Sequence, residues 1–97
     1  MEEQKIRKAR SASFSKVYAT NVMLSETDSD IRLYAFNEIF EAPEGKLAVS
    51  DGTLIMTEQA TMLLYEQIKG LIERWEKAGK KVEVSESRRE TLKELTD

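Results

Sequence analysis

The side chains able to do chemistry in this sequence are carboxylates, hydroxyls, lysines and arginines, because it contains neither cysteine nor histidine. Those two absences remove the common zinc sets, thiol nucleophiles, disulfides and imidazole acid–base catalysis. Carboxylates occur in close pairs, Asp28 with Asp30 and Glu38 with Glu41. A glycosidase-type pair needs a deep cleft that fixes the separation of its two carboxyls, and 97 residues rarely enclose one. Solvated turns and strand surfaces account for these acids. Oxygen-rich loops also hold calcium or magnesium, but SETDSD at 25–30 lacks the glycine and closing glutamate of an EF-hand loop. There is no glycine-rich phosphate loop, nucleophile elbow or dinucleotide fingerprint. Thr57 at a helix start could present amides to an anion, yet a capping threonine needs no ligand. The expectation is therefore no catalytic residue, no metal site and no cofactor. Asn21, a polar side chain within an apolar stretch, must find partners or point outward.

Charge is unevenly distributed. Residues 1–16 carry a net +3 and residues 17–57 a net −5, within a total of −3. Lys5, Arg7, Lys8 and Arg10 form a small basic cluster suited to phosphates. Without interleaved aromatics it reads first as a solvated arm, and the acidic middle of the chain argues against a nucleic-acid-binding sheet. No apolar run reaches the length of a membrane span, and no apolar stretch follows the basic start as in a signal peptide. A soluble cytoplasmic protein is the expectation.

The elements that would position any site are organised around a helix expected over residues 57–79. At about 100° per residue, Ala60, Leu64, Ile68, Leu71, Trp75 and Ala78 share one stripe, which predicts a buried face. Leu63 lies on one shoulder, and Thr61, Ile72 and Tyr65 on the other, so the apolar arc is wider than that of an ordinary surface helix. Either the chain's own tail or a second subunit must cover it. Thr57 is the expected N-cap, and Gly79 the left-handed closing residue.

Before the helix, residues 16–24 read as a strand with both faces partly apolar, and SETDSD as a turn whose side chains bond their own backbone. A second strand follows at 30–40. It carries Ile31, Leu33 and Ala35 on one face and Arg32, Tyr34 and Phe36 on the other. Pro43 and Gly45 end it, and residues 47–57 form a third strand. Asp51-Gly52 within that strand signals either a hairpin or a bulge; a bulge leaves one strand long enough to match the second. Past Gly79, Val82 and Val84 suit a short extended piece. Ser87 with Glu90 has capping-box spacing for a short final helix. The expected organisation is a basic disordered arm over 1–15, a β-β-β-α domain over 16–81 and a tail over 82–97. The fold class is α+β, a three-stranded antiparallel sheet followed by one long amphipathic helix.

From Lys16 to Gly79 the sequence resembles a family of short prokaryotic proteins catalogued as a domain of unknown function. The resemblance rests on Tyr18 with Asn21, on Ile55-Met56-Thr57 entering the helix, on Ala60 and the leucines after it, and on Trp75-Glu76 and Gly79. Glu58 stands where that family tends to have proline, and the Tyr18–Asn21 spacing is one residue longer than in the family. The resemblance implies strands running into one helix and no activity.

A core this small, with no disulfide to support it, calls for oligomerisation. The sequence therefore predicts a non-enzymatic homo-oligomeric interaction or scaffold protein, with Leu63, Ile72, Trp75, Tyr34 and Phe36 at the interface. An unrelated protein partner is a further option. One alternative is a nucleic-acid-associated regulator using Lys5, Arg7, Lys8 and Arg10. Another is a chaperone-like module that accepts extended peptides on a sheet face or edge.

Overall fold

The computed structural model describes residues 5–96, with every side chain among them except that of Glu38. Within this range strands β1 (Asn21–Glu26), β2 (Ile31–Ala42) and β3 (Gly45–Met56) precede helices α1 (Glu58–Lys77) and α2 (Glu86–Thr96). The protein is α+β, an antiparallel sheet of order β1-β2-β3 with two helices.

The turn between β1 and β2 forms as its residue types dictate. The Thr27 N–H donates to the Asp30 carbonyl at 2.9 Å, and the Thr27 hydroxyl accepts from the Asp30 N–H at 3.1 Å. Asp30 Oδ1 accepts from Arg32 Nε at 3.0 Å and from the Thr27 hydroxyl at 2.8 Å. The arginine contact, then the threonine, holds the Asp30 carboxyl below its ordinary range. At the other end of β2 the chain reverses through Pro43 and Glu44, with Ala42 opposite Gly45. Gly45, at φ 124°, occupies backbone space that a side chain would disfavour. Both strands run closer to this turn than their sequence suggests, because the tight reversal leaves residues 41–46 able to pair.

Asp51-Gly52 is a bulge and not a turn. Ala35 lies opposite Gly52 while Phe36 lies opposite Ser50, which leaves Asp51 as the extra residue on β3. A second irregularity follows on β2 between Phe36 and Ile39. Bulges bend and twist a strand pair. Here they divide the curled sheet into a three-stranded part and a two-stranded extension made by 39–42 and 45–48.

The first strand starts at Asn21, later than the β-rich composition from Lys16 implies. Thr20 still reaches β2, its N–H donating to the Phe36 carbonyl at 3.1 Å, but a Cβ at Gly52 would sit 3.3 Å from a Val17 methyl, so the chain at Val17 has left the edge of β2 and lies over the bulge of β3. A side chain at 52 would press on Val17, which would have to give by a few tenths of an ångström.

Helix α1 is punctuated as its sequence indicates. The Thr57 hydroxyl accepts from the Ala60 N–H at 3.1 Å. At the other end Gly79 takes φ 75°, its N–H donates to the Glu76 carbonyl at 3.1 Å, and the Lys80 N–H donates to the Trp75 carbonyl at 2.8 Å. This double closure is the Schellman arrangement. Gly79→Ala should lower the unfolding free energy by about 1 kcal/mol, the cost of a left-handed residue with a Cβ. Gly70→Ala should move the urea midpoint the other way, since a Cβ there meets only the Arg74 guanidinium at 3.6 Å. An unchanged midpoint for Gly79→Ala would show that the closure carries no stability.

The expected burial of α1 does not occur within the chain. None of its residues is buried, and it makes few contacts with β3. Only Phe36 and Met56 are buried hydrophobic residues among those described. The Cα radius of gyration is 17.2 Å, against about 12.5 Å for a compact domain of this length. The chain exposes 9280 Å², where a folded monomer of this mass would expose about 5,700 Å².

The tail does fold: Val82 and Val84 line a cleft with Ile72 and Trp75 at the end of α1, while α2 lies away from that helix. Helix α2 sits in the notch where β1 stops and the two-stranded extension continues. Arg88 Nη1 donates to the Thr20 carbonyl at 2.8 Å, and Lys46 Nζ pairs with Glu94 Oε2 at 3.5 Å. That exposed ion pair contributes at most about 1 kcal/mol. The cap is Ser85, whose hydroxyl accepts from the Arg88 N–H at 3.3 Å. The expected Ser87–Glu90 box does not form, because Ser87 is already inside the helix. Residues 80–85 form no strand.

Candidate interaction surface

The features that stand out are two apolar surfaces left uncovered. The first is the α1 stripe. Leu64 and Trp75 are half-buried, but Ile68 is 45% exposed, Ile72 43% and Leu63 58%. Cover is partial at both ends, at Thr61 and Leu64 near the β3 junction and at Trp75 near the helix end, and the middle of the stripe at Ile68 and Ile72 is the most open. Lys80 Nζ lies 4.7 Å from the Trp75 ring centroid, a cation–π contact, and Val82 and Val84 line the same cleft.

The second surface is one face of the sheet. Side chains alternate across a strand, and the register puts Leu24, Leu33 and Leu54 in one cross-strand row, with Val22, Ala35 and Gly52 in the next. Leu24 is 60% exposed and Leu54 55%. Val17 over Gly52 closes one end of this face, and Leu92 and Leu95 of α2 flank Val22 there. The Leu24–Leu33–Leu54 row stays open.

The residues expected at an interface are thus distributed over different surroundings. Leu63 and Ile72 are exposed on opposite shoulders of α1, and Trp75 is partly capped by Lys80. Tyr34 is half-buried on the opposite face of the sheet from Leu33. Phe36 belongs to the chain's own small core, since the bulge at Asp51 curls the sheet beside it. Sequence reasoning missed the Leu24–Leu33–Leu54 row. The alternation of 22–24 against 31–35 contains it, but only the register shows which residues stand side by side.

The remaining polar candidates are accounted for locally. Asn21 Oδ1 lies 3.4 Å from Arg88 Nη1, and Asn21 Nδ2 donates to the Thr20 hydroxyl at 3.3 Å. The Thr20 hydroxyl in turn donates to the Asn37 carbonyl at 2.7 Å. This network ties α2 to the sheet. Asp28 is exposed, and Asp30 is engaged by Arg32. The Glu38 half of the Glu38–Glu41 pair lies outside the described side chains. Lys5, Arg7, Lys8 and Arg10 are all exposed, with the Arg10 guanidinium 4.6 Å from the Phe14 ring centroid. Among the described residues no three carboxylates gather to hold a metal ion, and no helix is long and apolar enough to cross a membrane.

No family model, curated protein or solved structure matches this chain. The arrangement itself defines what the surface can do. It offers broad apolar contact, from the α1 stripe and from the Leu24–Leu33–Leu54 row.

Proposed function

We propose that this protein is a non-enzymatic, self-associating interaction module whose folded unit is an oligomer. The observation that supports this most strongly is α1, a 20-residue helix with a wide apolar arc and no buried residue. Monomeric soluble proteins rarely expose contiguous apolar patches beyond a few hundred Å². The excess over a monomer's expected accessible surface is about 3,600 Å². Residues 5–16 contribute to that excess, but the apolar side chains of α1 and the sheet lie outside them.

Light scattering over a concentration series from low to high micromolar tests the proposal. The expected mass is a multiple of 11.1 kDa that persists on dilution into the low micromolar range. A species of that single mass at high micromolar concentration would refute it.

A further inference from the structure

We infer that α1 of one chain docks on the Leu24–Leu33–Leu54 face of a second copy, while the second copy's α1 docks reciprocally on the first. This rests on the proposed self-association and specifies its geometry.

The two surfaces are complementary in kind, and the width of the sheet face suits one helix. The stripe from Ala60 to Trp75 is about 22 Å long at 1.5 Å per residue. Three strands spaced about 4.8 Å apart present a width of about 10 Å, matching one helix diameter. The polar side of α1, with Glu66, Lys69 and Glu73, would remain in water. Both surfaces are uncovered in the same chain, so one contact and its symmetry mate satisfy both.

The junction between β3 and α1 explains why the chain does not satisfy them alone. Met56 ends the strand and Glu58 begins the helix, leaving only Thr57 between them, in extended conformation at φ −72° and ψ 164°. Connections between a strand and a helix that packs back on its sheet take about 2–6 residues. A one-residue hinge is shorter than such connections and leaves α1 touching β3 only sparingly, and short hinges favour exchange of an element between copies. Reciprocal exchange is also closed, since both helices find a face within the dimer and neither face is left to recruit a third chain. A standard interface buries about 800 Å² per partner, well within the surplus surface.

The absence of cysteine allows a direct test. Leu24→Cys and Ile68→Cys are made in separate full-length chains, co-refolded, and treated with a short bis-maleimide. The expected dominant product joins one chain of each kind, with the bridge mapped by mass spectrometry to positions 24 and 68. Leu54→Cys, on the same row, serves as a second sheet variant should Leu24→Cys fail to assemble. Products joining only two Ile68→Cys chains would mean that helices pair with helices and would overturn the inference. Efficient bridging inside one chain of the double variant at high dilution would overturn it too, by showing that α1 reaches its own sheet. Oligomers by light scattering without any 24–68 or 54–68 bridge would sink this geometry yet leave self-association standing. A monomer at every concentration would dispose of both.

Discussion

Ile68→Asp is expected to dissociate the assembled protein without unfolding the chain. Ile68 lies at the centre of the α1 stripe, with Leu64, Leu71 and Ile72 within one turn of it. In the isolated chain it is 45% exposed, so an aspartate there meets water and costs less than about 1 kcal/mol of helix propensity. In an apolar interface the same change forfeits about 2 kcal/mol of side-chain burial and also desolvates a carboxylate. A two-fold dimer contains the site twice. The combined loss of at least about 4 kcal/mol corresponds to a dissociation constant raised about 1,000-fold. Light scattering reads the dissociation, and far-UV circular dichroism reads the retained helix. Glu66→Ala, on the polar side of the helix, should change neither. A variant that keeps the wild-type mass at low micromolar concentration would place the interface away from α1.

What the sequence reveals about this fold is mostly what local forces decide. Thr57 and Gly79 are legible because a hydroxyl one turn from an amide, and a residue without Cβ at a helix end, act over four or five residues. The Thr27–Asp30 turn is legible for the same reason. The late start of β1 is not, because it depends on Val17 meeting Gly52 across the sheet, a contact no local pattern encodes. Nor is the Ser85 cap distinguishable from Ser87 when each is followed by helix-forming residues.

The amphipathic stripe of α1 shows a different limit. Periodicity identifies a face that needs cover but does not name the cover, and from sequence the chain's own tail is the first candidate, ahead of a second subunit. The structure places α2 at Thr20 and Asn21, held by Arg88, leaving the middle of the stripe at Ile68 and Ile72 largely open. The surface row Leu24–Leu33–Leu54 was equally hidden. Each leucine is visible in its strand, yet their alignment depends on a register fixed by two turns and two bulges.

Phe36→Ala should unfold the chain by a route independent of assembly. Phe36 is one of two buried hydrophobic residues among those described, and it lies opposite both Asn21 and Ser50 where the sheet curls. Its carbonyl accepts from the Thr20 N–H at 3.1 Å, so its position also anchors the segment leading into β1. Truncating a buried phenylalanine costs about 3–5 kcal/mol, a large part of the roughly 5–15 kcal/mol that stabilises an ordinary domain. With so small a core, the expected result is a urea midpoint shifted far down, or loss of the cooperative transition at 25 °C, at low and high protein concentration alike. Leu24→Ala provides the contrast. Leu24 is 60% exposed within one chain, so its truncation should matter little to an isolated subunit and show its cost only through assembly. A Phe36→Ala midpoint equal to wild type would mean that Phe36 is not a core residue. Equal and concentration-independent losses for the two variants would mean that the Leu24 face is already covered within the chain.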